Sequence, residues 1–361
     1  MASWRCVAPG SIGRRPRGIA RLHSAELPLN PHRPTGTPLV GIALGAITAL
    51  LWGTLPVMLK ILVGWLDVYT ITWFRFTMAG VCLLPFAVAS GGLGQIASLR
   101  GLPRWLLILS IVGLTGNYLS FMGGLNFVSP ATAQIVIQLS PVFMLLGGLL
   151  IFHESFSRYQ WLGLLVLLMG QILFFGPRFE RFTTDFDTEG VGVLLIVLAA
   201  VLWGLYMVSQ KQLLQNLRAE VILVVIYVVG STALIPTASP STLLSLPRLG
   251  VALLVGSSLG TLVSYFTFAR ALHHVEASRI GVLVSMTPIV VVTHVEILSV
   301  WQPELIEREK LPFLSIVGAL LVVCGSALSA LGAKRITTGG HSTSSGLHCR
   351  DRTSLRPDRP D

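Results

Sequence analysis

Charge is scarce in this sequence. Of 361 residues, 12% are Asp, Glu, Lys or Arg, about half the share a soluble domain carries. That excludes a water-soluble globule, and the 53% hydrophobic content and mean hydropathy of +0.74 point the same way. Cysteine is scarce too. Cys82 and Cys324 fall in apolar runs, Cys6 and Cys349 in polar ends, and no CxxC occurs, so neither a disulfide framework nor a zinc site is expected. No G-x-x-x-x-G-K-[ST] string is present, so ATP does not drive the chain directly. No apolar run precedes residue 38, which argues against a signal peptide. Pro9, Pro16, Pro28 and Pro31 break any amphipathic transit helix, and residues 1–37 read as a disordered basic tail.

The basic excess is confined. Of 26 Lys and Arg, six precede residue 34 and six follow residue 333. Without interleaved aromatics these ends do not suit nucleic acid. They suit cytoplasmic tails under the positive-inside rule, residues 334–361 being the second.

Long apolar runs fill the rest. Spans are expected near 39–60, 69–89, 103–123, 129–152 and 159–176, then, after a charged connector at 177–189, near 190–210, 220–238, 249–271, 277–300 and 312–333. Each approaches the roughly 20 residues that cross a bilayer as helix. Without alternating polarity a barrel is excluded. The expected fold is an all-α integral membrane protein of ten transmembrane helices. An even number puts both tails on one side. With tails inside, inner loops hold seven Lys and Arg and outer loops five. The tails decide, placing both termini in the cytoplasm of a multi-pass protein of the bacterial inner (plasma) membrane.

The two halves repeat. ALLWG at 49–53 matches AVLWG at 200–204, and Lys60 matches Lys211 at the same offset of 151. Tyr118 matches Tyr265, Phe121 matches Phe268, and Pro141 matches Pro288, all at offset 147. LGLLVLLMGQIL from Leu162 then matches VGALLVVCGSAL from Val317. Five spans per copy is odd, so the second copy enters from the opposite face as an inverted repeat, the architecture of alternating-access carriers.

These strings, with Arg75 in the second span and Glu154 standing 13 residues after Pro141, resemble the EamA-type family of the drug/metabolite transporter superfamily. The second copy departs, since Trp301 stands where the matching acid would fall. The resemblance covers residues 38–333. It implies two five-helix repeats, 38–176 and 190–333, and secondary transport, often export, of amino acids or other small metabolites.

Several polar and aromatic residues are candidates for the pathway. Gln134, Gln138 and Pro141 share one face of the fourth span, and by the repeat they match Gly281, Ser285 and Pro288. Facing lipid would be costly for two amides, so they face the bundle, as substrate ligands or as interhelical glue. The prolines each free a carbonyl and mark a binding site, a hinge or a static kink. Trp52, Trp203, Tyr118 and Tyr265 are deep and duplicated, and Asn117 adjoins them; they line the pathway or pack against small residues. Arg75 is a gating or coupling candidate, paired with Glu296 or snorkelling to the interface. Lys60 and Lys211 read as interface anchors.

Two strings mimic chemistry. GSSLG at 256–260 fits a nucleophile elbow but sits in an apolar helix, where it reads as G-x-x-x-G packing, as do Gly41 and Gly45. His273–His274 lacks metal partners at ligand spacing. No catalytic residue, metal or cofactor is expected. The partners are a small-molecule substrate and the lipid bilayer, not nucleic acid, and a homodimer stays open. An intramembrane enzyme and a passive channel or sensor are the alternatives to a carrier.

Overall fold

Capping chemistry sets where the apolar runs begin as helices. The computed structural model describes residues 37–92, 99–152, 157–178, 188–215, 217–275, 277–306 and 311–332, with Gly94, Ile96 and Arg308. Helix α1 (Pro38–Leu62) starts on a proline. Helix α2 (Val68–Ala89) starts on Asp67, whose carboxylate accepts from the Thr70 amide at 2.9 Å. Next come α3 (Leu102–Leu125), α4 (Pro130–Val136) and α5 (Ser140–Phe152). Helix α6 (Arg158–Phe175) opens with a reciprocal capping box between Ser157 and Gln160. The second half holds α7 (Thr188–Leu213), α8 (Ala219–Leu234), α9 (Arg248–His274), α10 (Ala277–Ser285), α11 (Thr287–Trp301) and α12 (Phe313–Leu331).

There is no strand among the described residues. Eight helical segments there are long and apolar enough to cross a membrane, the α10–α11 segment counted as one. Helix α8, with 16 residues, is shorter, and the stretch 130–152 is divided. Trp65, Trp105 and Trp161 are exposed near helix ends, as interface tryptophans should be. The described residues all belong to one compact unit. The two polar tails and most of the connector, with Glu154, lie outside the described residues.

The packing interchanges when the halves are swapped. Helix α1 packs along α9 while α3 packs along α7; α11 crosses α1 while α5 crosses α7; α2 pairs with α8 and α6 with α12. The duplicated Trp-Gly strings explain one of these crossings. A Cβ on Gly53 would lie 2.6 Å from the Val290 Cβ, and one on Gly204 would lie 2.8 Å from the Phe143 Cβ. Both contacts come two residues after the matched prolines. Each glycine therefore seats the broken helix of the other half.

The closest backbone approach joins α6 to α12. A Cβ on Gly170 would lie 2.6 Å from the Val322 amide nitrogen and 2.7 Å from the Gly318 oxygen; one on Gly163 would lie 2.7 Å from the Gly325 oxygen. Small residues permit such approach in lipid, where packing rather than hydrophobicity drives association. Gly41 and Gly45 serve likewise, against Val275 and Leu283. The string at 256–260 meets the packing expectation at one end only. A Cβ on Gly256 would lie 3.1 Å from the Met58 Cε of α1, whereas Gly260 has nothing within 4 Å of its Cβ position, and Ser257 and Ser258 are buried between them.

Candidate functional site

Two mid-membrane breaks define the site. Pro141 has no N–H for the Ile137 carbonyl, and residues 137–139 wind as a 3₁₀ turn. The Ser140 hydroxyl donates to the Ile137 carbonyl at 2.6 Å in its place. In the second half the helix is interrupted at Met286, two residues before Pro288. The interruptions precede the prolines because each proline lacks the N–H that the carbonyl four residues earlier would accept, and its ring crowds that carbonyl; Ser140 and Thr287, directly before them, stay helical.

The breaks meet. Gln134 donates from Nε2 to the Thr287 hydroxyl at 2.8 Å, and Gln138 from Nε2 to the Ser285 carbonyl at 3.3 Å. All four residues are buried. The Ser285 carbonyl has lost its usual helical donor, since the Ile289 amide turns to Met286, and the Gln138 amide replaces it. Sequence reasoning missed a third amide. Gln171 on α6 donates to the Ile135 carbonyl at 2.6 Å, while its own Oε1 is buried with no partner among the described residues. Its signal was a lone Gln deep in an apolar span, matching the buried Ser326 of the other half.

An aromatic layer adjoins the breaks. Trp52 meets Tyr265 at 5.7 Å and Phe268 at 5.5 Å between ring centroids, and Trp203 meets Tyr206 at 5.5 Å. Tyr118 packs edge-on against Phe76 at 4.9 Å and lies under the Arg75 guanidinium at 4.8 Å. Asn117 holds helices together, donating to the Ala199 carbonyl at 2.8 Å. The structure thus joins Gln134, Gln138 and Ser285 with Pro288 at one centre, Trp52 with Tyr265, and Tyr118 with Arg75.

Three expectations are corrected. Glu296 does not pair with Arg75; its carboxylate accepts from Arg308 at 2.9 and 3.0 Å, because the chain after α11 folds back over it. Arg75 does not snorkel, being 4% exposed. Lys60 is more than an interface anchor: its ammonium donates to the Leu125 and Val128 carbonyls, capping the end of α3. A cavity of about 620 Å³ between α11 and α12 runs from Ile135 and Pro288 at the breaks to the Glu296–Arg308 pair.

The Ser258 hydroxyl is committed to the Leu254 carbonyl of its own helix at 2.7 Å. No group of three His, Cys, Asp or Glu suited to a metal occurs among the described residues.

Paired helix breaks facing each other across two matching halves are a carrier's geometry, and comparison with known proteins agrees. The model of the EamA-like transporter family matches residues 39–176 and again 190–331. The chain belongs to the EamA-like transporter family. An uncharacterized transporter of Haemophilus influenzae is 34% identical, over 84% of this chain and 99% of its own length. The uncharacterized inner membrane transporter YhbE of Escherichia coli is 33% identical, over 81% of this chain and 92% of its own. A crystal structure of a 21%-identical protein superposes with a TM-score of 0.52, over 82% of this chain and 99% of that one, and shares the fold. The family and these names point to membrane transport rather than to an enzyme.

Proposed function

We propose that the protein is a secondary carrier that exports amino acids or other small polar or amphipathic metabolites across the bacterial inner membrane by alternating access. It crosses ten times, with α4–α5 and α10–α11 each counted as one broken span and α8 as a short one. Its two five-helix repeats, 38–176 and 190–333, are inverted, and both termini are cytoplasmic. The substrate meets Gln134, Gln138 and Ser285 at the breaks, and the pathway is lined by Trp52, Trp203, Tyr118 and Tyr265, with Asn117 behind them. Pro141 and Pro288 serve as hinges.

The observation that carries this reading is the contact between the two breaks, Gln134 to Thr287 and Gln138 to the Ser285 carbonyl. Interrupted helices in inverted halves expose backbone and amide groups at the midplane, where a polar ligand needs them. An asymmetry adds to it. Helix α4 packs against α11, while the counterpart pair α5 and α10 has no comparable contact among the described residues. In the proposed topology the first pair lies toward the outside, in the same half as the cavity that reaches Glu296 and Arg308, and the second lies toward the inside.

The test replaces both Gln134 and Gln138 by Leu and profiles metabolites in the medium of expressing cells. If the amides bind substrate, export falls ten-fold or more per folded molecule, each lost contact being worth roughly 1 kcal/mol or above. If they only join helices, stability drops by about 1 kcal/mol and export follows the folded amount. Full export by the double variant removes the site assignment.

A further inference from the structure

We infer that Arg75 is the anion-binding group of the pathway and selects substrates that carry a carboxylate. The inference deepens the carrier reading above and rests on it.

The physical premise is an unbalanced charge. A guanidinium stays protonated in a protein and presents five N–H donors. Arg75 sits in an apolar span with 4% exposure, where an uncompensated cation is expensive. Its hydrogen bond among the described residues runs from Nη2 to the Thr261 hydroxyl at 2.8 Å. The Nε–H is buried with no acceptor among the described residues. No ion pair to Arg75 occurs among the described residues: Glu296 is held by Arg308, Glu220 lies near Arg218, and Asp67 is engaged by Thr70. The Tyr118 face offsets part of the charge but accepts no conventional hydrogen bond.

The surroundings define what is missing. Tyr118 stacks under the guanidinium at 4.8 Å and Phe76 packs edge-on against Tyr118, so the immediate neighbours are aromatic faces rather than anions. The guanidinium is a donor-only group with a buried N–H left over, which an oxyanion would satisfy. The guanidinium fork matches the two oxygens of a carboxylate. A single cation balances one negative charge, whereas a phosphate dianion would leave a charge unmatched in a low-dielectric setting. Around it Phe76, Tyr118 and Tyr227 form a largely buried edge-to-face cluster, an apolar setting that strengthens the pull of an unpaired guanidinium on an anion.

The test uses the full chain expressed in a bacterial strain, with export into the medium profiled against an empty vector. Variants Arg75→Gln and Arg75→Lys are compared per folded molecule, measured by gel filtration of the detergent extract. The expected result is that species enriched by the unaltered protein carry a carboxylate. Arg75→Gln lowers their export ten-fold or more, and Arg75→Lys, which keeps the charge without the fork, lowers it less. Enrichment confined to uncharged, cationic or phosphate-only species overturns the inference without any variant, so a misfolded Arg75→Gln leaves the test decisive. So does unchanged export of carboxylates by Arg75→Gln. If the unaltered protein enriches nothing, the carrier reading fails and takes this inference with it; the preceding outcomes refute the anion site alone.

Discussion

Replacing Gly170 by Ala tests whether backbone contact between α6 and α12 holds the two halves together. The new Cβ would lie 2.6 Å from the Val322 nitrogen and 2.7 Å from the Gly318 oxygen, against 3.4 Å or more for ordinary contact. Both obstacles are backbone, so no side chain can swing aside, and the helices must part by roughly 0.8 Å, the shortfall from 2.6 to 3.4 Å. A gap of about 0.5–1 Å forfeits a quarter to a half of each dispersion contact. Here it would loosen Leu167, Phe174 and Val322, all buried. Overpacking of this kind costs about 1–3 kcal/mol. Gly260→Ala is the internal control, since nothing lies within 4 Å of its Cβ position; its effect should stay within about 0.5 kcal/mol. Thermal unfolding of the full chain in detergent reads both. A second constraint comes from Gly318→Ala, which parts the same two helices. The double variant should cost less than the sum of the singles, because one separation relieves both clashes. Equal midpoints for Gly170→Ala and Gly260→Ala would refute the contact.

Two further outcomes are expected. Ser258→Ala should leave export intact, because the hydroxyl only back-bonds to the Leu254 carbonyl, while Ser258→Leu should lower the folded yield by overpacking a residue that is 2% exposed; loss of export by a well-folded Ser258→Ala protein would revive the enzyme alternative. A reporter fused after Arg335 should report the cytoplasm, and activity confined to the outside would reverse the topology.

Periodicity along one chain carried much of this fold. Apolar length located the helices, since lipid demands that each segment satisfy its own backbone. The paired prolines marked the breaks, because a missing N–H is written in the sequence. What escaped were partnerships between segments. Gln171 caps a carbonyl 36 residues earlier in the chain, and no spacing within a helix signals that. Glu296 was matched with Arg75 by depth alone, but Arg308 reaches it from the segment after α11. Lys60 was read by its place at a helix end, which fits both snorkelling and capping; the Leu125 carbonyl at the end of α3 and the Val128 carbonyl just beyond it decide it.

The Trp-Gly strings show why some residues recur in both halves and others do not. Gly53 and Gly204 each receive the first turn after a proline from the opposite half, at Val290 and Phe143. That contact is made twice, once in each direction across the pseudo-symmetry, so both copies need the same small residue at the same offset. A side chain there would lift a broken helix from its seat and separate the two breaks. Trp301, in the place that matches the acid of the first copy, is 79% exposed. Symmetric contacts therefore preserve the repeat, while groups such as Arg75, unmatched in the second half by any cation at offset 147 or 151, are free to serve a single asymmetric ligand.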